Sequence, residues 1–348
     1  MATVQADQPI LVVGAGFAGA TVARELADAG YRVEVIDRRS HIAGNAFDEI
    51  NALGIRVHRY GPHIFHTNNE RVVQWLSRFT EWIPYRHKVK AALADGRLVT
   101  LPVNRETRDI VGEANVLDTF FRPYTRKMWG VELEALSPDI LNRVPVRDDL
   151  NEDYFPNDAF QAMPTQGYTA VVARILDHPR ISIALDTVYS HDLARGYAHV
   201  FNSMPIDEYH GFVLGELPYR SIRFHTVDFP TARLYPVSVV NFTHTGPHTR
   251  VTEWRNFPGH GEHHAFTTLT FEEPCDYRDN HRERFYPVKD LAGANRDVYQ
   301  RYAALPAPRT TFIGRCGLYA YLDMHQAISS ALATARRYLG RETTGLEG

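Results

Sequence analysis

Apolar and polar positions along the chain alternate between two periods. Ile10-Leu11-Val12-Val13 is an unbroken apolar run ending at Gly14, which predicts a strand covered on both faces in a parallel sheet. Ala20–Ala29 then has helical spacing, with Ala23, Leu26 and Ala27 on one face and Gly30 as its stop. Arg32–Asp37 resumes as a strand through Val33, Val35 and Ile36. Together they predict one β-α-β unit of about 30 residues.

The pattern then changes. Val89–Val103 places apolar residues on both sides of Asp95-Gly96, a dipeptide suited to a tight turn, and so predicts a hairpin. Asp109–Trp129 has helical spacing over a short length. From Tyr219 to Glu272, β-branched and aromatic residues recur between turn signals, as in a broad antiparallel sheet. Thr310–Ile313 reads as another buried strand, with a helix from Met324 to Leu339 after it. Parallel-sheet elements at both ends, with antiparallel material between, predict an α/β fold whose nucleotide domain is interrupted by insertions.

Composition narrows the partners. A chain of 348 residues with 44% hydrophobic content can bury a large core. Its net charge of −3, from 38 basic and 41 acidic residues, gives no global attraction to nucleic acid or an anionic membrane. An anionic ligand must therefore be held by a few placed groups. Cys275 and Cys316 are too few for a disulfide framework, and with a polar start at Met1–Pro9 and no apolar run near ~20 residues they predict a soluble, cytoplasmic protein. The run His260-Gly261-Glu262-His263-His264 has metal-ligand residue types, but its turn-like, glycine-containing context lacks fixed spacing, and no metal is expected.

Gly14-x-Gly16-x-x-Gly19 falls between the first strand and the first helix, where backbone N–H groups can receive a pyrophosphate. Asp37 closes the second strand about 20 residues on, where it can accept hydrogen bonds from a ribose. Strand, glycines, helix, strand and acid in that order predict dinucleotide binding; they do not separate NAD from FAD.

The segments beyond Asp37 make that separation. The loop His41-Ile42-Ala43-Gly44-Asn45-Ala46, the segment Tyr60–Thr67 (YGPHIFHT), YTRKMWG at Tyr124–Gly130, NRVPVR at Asn142–Arg147, TRVTE at Thr249–Glu253, FYPV at Phe285–Val288 and YLDMHQAIS at Tyr321–Ser329 together resemble the UDP-galactopyranose mutase family over nearly the whole chain. The resemblance implies FAD as cofactor. It implies a discontinuous Rossmann-like FAD-binding domain (residues 1–84, 171–218 and 305–348), a small helical insertion (104–150) and an antiparallel β-sheet substrate domain (85–103, 151–170 and 219–304). The cofactor residues it selects are Gly14, Gly16, Phe17, Gly19, Asp37, Arg38, Gly44, Asn45, His63, Ile64, Arg315, Leu322, Asp323, Met324 and Gln326. Asp323 also has a physical role, capping a helix whose positive end would face the electron-rich edge of a reduced flavin.

The substrate implied is a nucleotide-diphosphate hexose. Arginine suits the diphosphate because its planar fork matches phosphate oxygens. The resemblance assigns that task to Arg143 and Arg250, which with His63 are the expected catalytic residues; Arg147 is a candidate by proximity. Tyr154, Tyr286 and Tyr321 fall at the family's diphosphate positions, Trp129 beside the sugar, and Tyr124 and Asn241 complete the substrate set.

The activity implied is interconversion of pyranose and furanose rings. Reduced flavin N5 attacks the anomeric carbon and expels the diphosphate, which returns once the ring has reclosed; an external reductant such as NAD(P)H activates the flavin. The alternative is an FAD-dependent oxidoreductase of the amine-oxidase-like fold. Between Asn104 and Trp129 the chain is shorter than common bacterial members, and Met128 stands where many have glutamine. UDP and GDP are therefore equally admissible as the nucleotide, and a homodimer is left open.

Overall fold

The computed structural model describes residues 8–135, 146–261, 265–288, 290 and 292–340. Five parallel strands form one sheet in the spatial order Ile181–Ala184, Val33–Ile36, Ile10–Val13, His199–Asn202, Thr310–Phe312. In chain order this is 3-2-1-4-5, the doubly wound arrangement. The order reverses between Ile10–Val13 and His199–Asn202, and a crevice opens at the carboxyl ends of those strands. Burial explains the uninterrupted apolar run at Ile10–Val13, whose residues are all buried. The first helix, Phe17–Asp28, starts three residues before the predicted Ala20, directly at Gly16. It packs on the last helix, Met324–Tyr338.

A second sheet of seven strands carries the insertions. Its order is Tyr286–Pro287, Tyr219–Phe229, Thr267–Asp276, Arg250–Glu253, Val239–Phe242, Val89–Ala92, Leu98–Leu101. The hairpin turning at Asp95-Gly96 forms its edge, with Val89 opposite Leu101. The sheet is antiparallel except where Val239–Phe242 runs parallel to Val89–Ala92. No turn joins those two strands in sequence, so local pattern had no means of giving their relative direction. The strand of segment 151–170, Phe160–Pro164, pairs instead with Phe65–Thr67 and Trp82–Pro84 in a separate three-stranded sheet.

The helical segment is broken. Asn104 caps Arg105–Val111 by accepting the Thr107 N–H at 3.0 Å, and Gly112, at φ 81°, ends it. A π-turn at Leu117–Phe121 leads into Arg122–Trp129. The even helical spacing of Asp109–Trp129 concealed the break because Gly112 interrupts no apolar position.

Candidate functional site

One cavity of about 550 Å³ runs from the glycine turn at the end of the first strand to the inner face of the seven-stranded sheet. At its first end, Gly14 has φ +101° and lies against Ser203, whose hydroxyl an added Cβ would meet at 2.0 Å. A Cβ on Gly19 would stand 1.9 Å from the Gly14 carbonyl, so helix and turn touch backbone to backbone. Asp37 accepts the Ala15 N–H at 2.8 Å through Oδ2 and the Arg39 N–H at 2.9 Å through Oδ1, which ties the turn to the second strand. Phe17, Arg38, Gly44 and Asn45 line the same end.

In the middle, the His63 Nδ1–H donates to the Gly61 carbonyl at 2.8 Å, and its backbone N–H donates to His58 Nδ1 at 3.1 Å. Burial, helped by the positive charges of Arg315 and Arg250, pushes the His63 pKa down to about 4. The ring is therefore neutral at pH 7, with its lone pair on Nε2. Ile64, Leu322, Asp323 and Met324 line this stretch. Asp323 and Gln326 form a reciprocal capping box at the start of the last helix, where the Asp323 N–H donates to Gln326 Oε1 at 2.9 Å. Gln326 does not line the cavity; it fixes the helix end that does. Arg315 donates to the carbonyls of Phe285 (3.0 Å) and Leu322 (2.6 Å) and lies over the rings of Tyr286 and Tyr321, themselves stacked 5.3 Å apart.

At the far end Arg250 and Glu272 occupy paired positions on adjacent strands, and Arg250 Nε lies 2.8 Å from Glu272 Oε2. Burial works against the guanidinium charge, but the carboxylate and the phenols of Tyr286 and Tyr124 outweigh it, so the Arg250 pKa is raised. Glu272 is buried, and its Oε1 has no hydrogen-bond partner among the described residues. Burial raises the Tyr286 phenol, which stays a hydroxyl donor at neutral pH. Tyr124, Trp129, Tyr154, Asn241 and Tyr321 share this wall, and Asn241 Oδ1 is another buried acceptor with no partner among the described residues. Met128 packs with Trp129 and Tyr286. Arg143 lies outside the described residues. Arg147, by contrast, donates to the carbonyls of Asp153 and Asn151 and does not line the cavity.

Two cations lock this wall. Lys127 Nζ donates to the carbonyls of Phe242, His244 and His248 at 2.7, 2.9 and 3.0 Å. In return Arg220 donates to the last carbonyls of the helix, Met128 at 2.6 Å and Lys127 at 3.2 Å.

Sequence reasoning missed Glu272, His87 and the pair His66 and Phe155, which line the cavity stacked with ring centroids 3.5 Å apart. For Glu272 a signal existed: in Phe271-Glu272-Glu273, strand alternation must turn one carboxylate inward. The histidine-rich run considered and rejected as a metal site enters the structure through His260, which is buried and bonded to His58 Nε2 at 3.0 Å.

A glycine turn at the switch point of a doubly wound sheet, opening into a cavity with paired charges, defines a Rossmann-type dinucleotide protein with a substrate sheet. The chain belongs to the UDP-galactopyranose mutase family, an isomerase family, whose model matches residues 119–321; a Rossmann-like NAD(P)-binding model matches residues 12–79. It is 34% identical to a Klebsiella pneumoniae protein named "Probable UDP-galactopyranose mutase", over 96% of this chain and 95% of that one. It is 33% identical to dTDP-fucopyranose mutase of Escherichia coli, over 95% and 98% of the two chains. Among solved structures, reduced UDP-galactopyranose mutase superposes with a TM-score of 0.75 at 16% identity, covering 97% of this chain and 96% of the other. Among the described residues no helix is long and apolar enough to cross a membrane.

Proposed function

We propose that this chain binds FAD and, with the flavin reduced, interconverts pyranose and furanose forms of a nucleotide-diphosphate hexose. The observation that carries this reading is the Arg250–Glu272 pair set in the same cavity as the Gly14–Gly19 turn. A dinucleotide site alone suits many reactions, whereas a half-buried guanidinium set against a buried carboxylate in the same cavity suits a diphosphate leaving group.

The residues fit FAD. Gly16, where the nearest neighbour of an added Cβ would be Gly44 at 3.6 Å, presents bare backbone to the cavity where a pyrophosphate would lie, Asp37 still has lone pairs for a ribose, and the capped end of the last helix faces the cavity. When bound and reduced, the flavin would supply the nucleophile. Arg250 would hold the diphosphate through departure and return, with Arg143 as its expected partner. Glu272 keeps the guanidinium aimed, and the Tyr154, Tyr286 and Tyr321 hydroxyls supply further donors. Trp129 closes the sugar end. Neutral His63 offers the cavity an acceptor rather than a further positive charge.

The nucleotide is UDP, dTDP or GDP. The test is reduced enzyme with hexoses linked to each, products resolved by chromatography and NMR. Ring-isomerised product with no net oxidation supports the proposal. Oxygen consumption with an oxidised product, and no furanose, would instead place the chain among flavin oxidoreductases.

A further inference from the structure

Glu272 and Glu273 point to opposite faces of the seven-stranded sheet. Glu272 lines the cavity, while Glu273 faces outward beside His225 on the neighbouring strand. His225 Nε2 lies 2.8 Å from Glu273 Oε2. The other oxygen, Oε1, receives Arg223 Nη1 at 3.0 Å, and Arg223 also donates to the Asp279 carbonyl at 2.8 Å. Arg223 therefore clamps Glu273 with Oε2 turned to His225. The third member comes from the loop before Arg250. His248 meets His225 edge to face at 5.6 Å between ring centroids, and one ligand atom from each of His225, His248 and Glu273 lies within 4.8 Å of the others.

We propose that His225, His248 and Glu273 form a binding site for a divalent transition-metal ion of the zinc type on the outer face of the sheet. Two imidazoles and one carboxylate are the donor set that such ions take, whereas magnesium and calcium require oxygen ligands alone. Three protein ligands, one of them exposed, leave a fourth position for water. Hydrogen bonding from His225 lowers the Glu273 pKa, so the carboxylate is charged, and burial lowers that of His248, favouring the neutral ring that a metal needs. The guanidinium of Arg223 and the ammonium of Lys127 oppose a cation here, which makes the site one of moderate affinity.

The position has a consequence for the cavity. Thr249, between His248 and Arg250, gives its N–H to the Glu272 carbonyl at 2.9 Å. A cation bridging His248 to Glu273 therefore braces, from behind, the strands that carry Arg250 and Glu272.

The experiment uses the full chain, freed of metal by chelator, titrated with Zn²⁺ by calorimetry and with Co²⁺ by visible absorption. Saturable binding of one equivalent is expected, weakened by about tenfold or more in His225→Ala, His248→Ala and Glu273→Gln. Variants replacing His263 and His264 by alanine should bind as the parent does. Absence of saturable binding, or binding unchanged in a His225→Ala/His248→Ala double variant of native circular dichroism, would overturn the assignment.

Discussion

Arg250 and Glu272 stand opposite one another on neighbouring antiparallel strands, and their side chains meet at 2.8 Å in the wall of the cavity. In the function proposed above, one charge of the pair would hold the ligand and the second would aim it. Arg250→Ala should lower turnover by about 10²–10³-fold while the dinucleotide stays bound, as read by flavin absorbance and steady-state rates. Glu272→Gln, which leaves the guanidinium without a counter-charge, should cost about 3 kcal/mol in urea melts. Retained turnover in Arg250→Ala would show that the diphosphate lies elsewhere.

The glycine turn separates a folding requirement from a binding one. At Gly19 an added Cβ meets backbone at 1.9 Å, whereas at Gly16 its nearest neighbour is Gly44 Cα at 3.6 Å, an ordinary contact. Gly16→Ala should therefore fold normally and lose cofactor affinity, and Gly19→Ala should lose stability outright. Thermal melts with and without added FAD distinguish them. Equal cofactor retention by Gly16→Ala and the parent would mean that no pyrophosphate approaches that atom.

The buried histidines predict an acid limb. Burial pushes His87 down to about 3, and Arg250 and His66 add to the shift. Above the unfolded value near 6.5, both states are neutral and the full stability is present. As pH falls from there toward the folded value, the unfolded state takes up a proton that the native state refuses, and stability drops. His87→Phe should reduce the slope of unfolding free energy between pH 6 and 4 by about 1.4 kcal/mol per pH unit, measured by urea melts. An unchanged slope would indicate that His87 is protonated in the fold.

Lys127 yields a comparison with its neighbour. Its ammonium serves three carbonyls, while Arg126 forms an exposed ion pair with Glu132. Lys127→Met should cost on the order of 2 kcal/mol and lower kcat/KM, with Arg126→Met near neutral. If the two variants melt within about 0.5 kcal/mol of each other, the carbonyl cluster holds nothing together.

Much of the dinucleotide half was legible because its signals are local. The strand at Ile10–Val13, the glycines, the second strand and Asp323 before the last helix each announce themselves within a few residues. The far wall of the cavity was legible only where motifs carried it, as at Arg250 and Trp129, which the structure brings into one cavity. Glu272 depends on which way a strand faces, and that is decided by pairing with Arg250 across the sheet. The parallel pairing of Val239–Phe242 with Val89–Ala92 and the His225–His248–Glu273 group likewise join residues far apart in the chain, where periodicity has no reach. The break at Gly112 was hidden for the opposite reason, since a helical pattern continued across it.

The mounting of the helix Arg122–Trp129 bears on how such sites diversify. Arg220 grips its last carbonyls and Lys127 grips the loop leading to Arg250. Trp129 is thereby indexed to Arg250 through contacts made at the downstream end of the helix. The stretch from Asn104 to Phe121 enters the main core through Val116 and Phe120, so a change of its length that spares those two side chains should leave Trp129 and Arg250 in place. Nucleotide preference should then be transplantable with it.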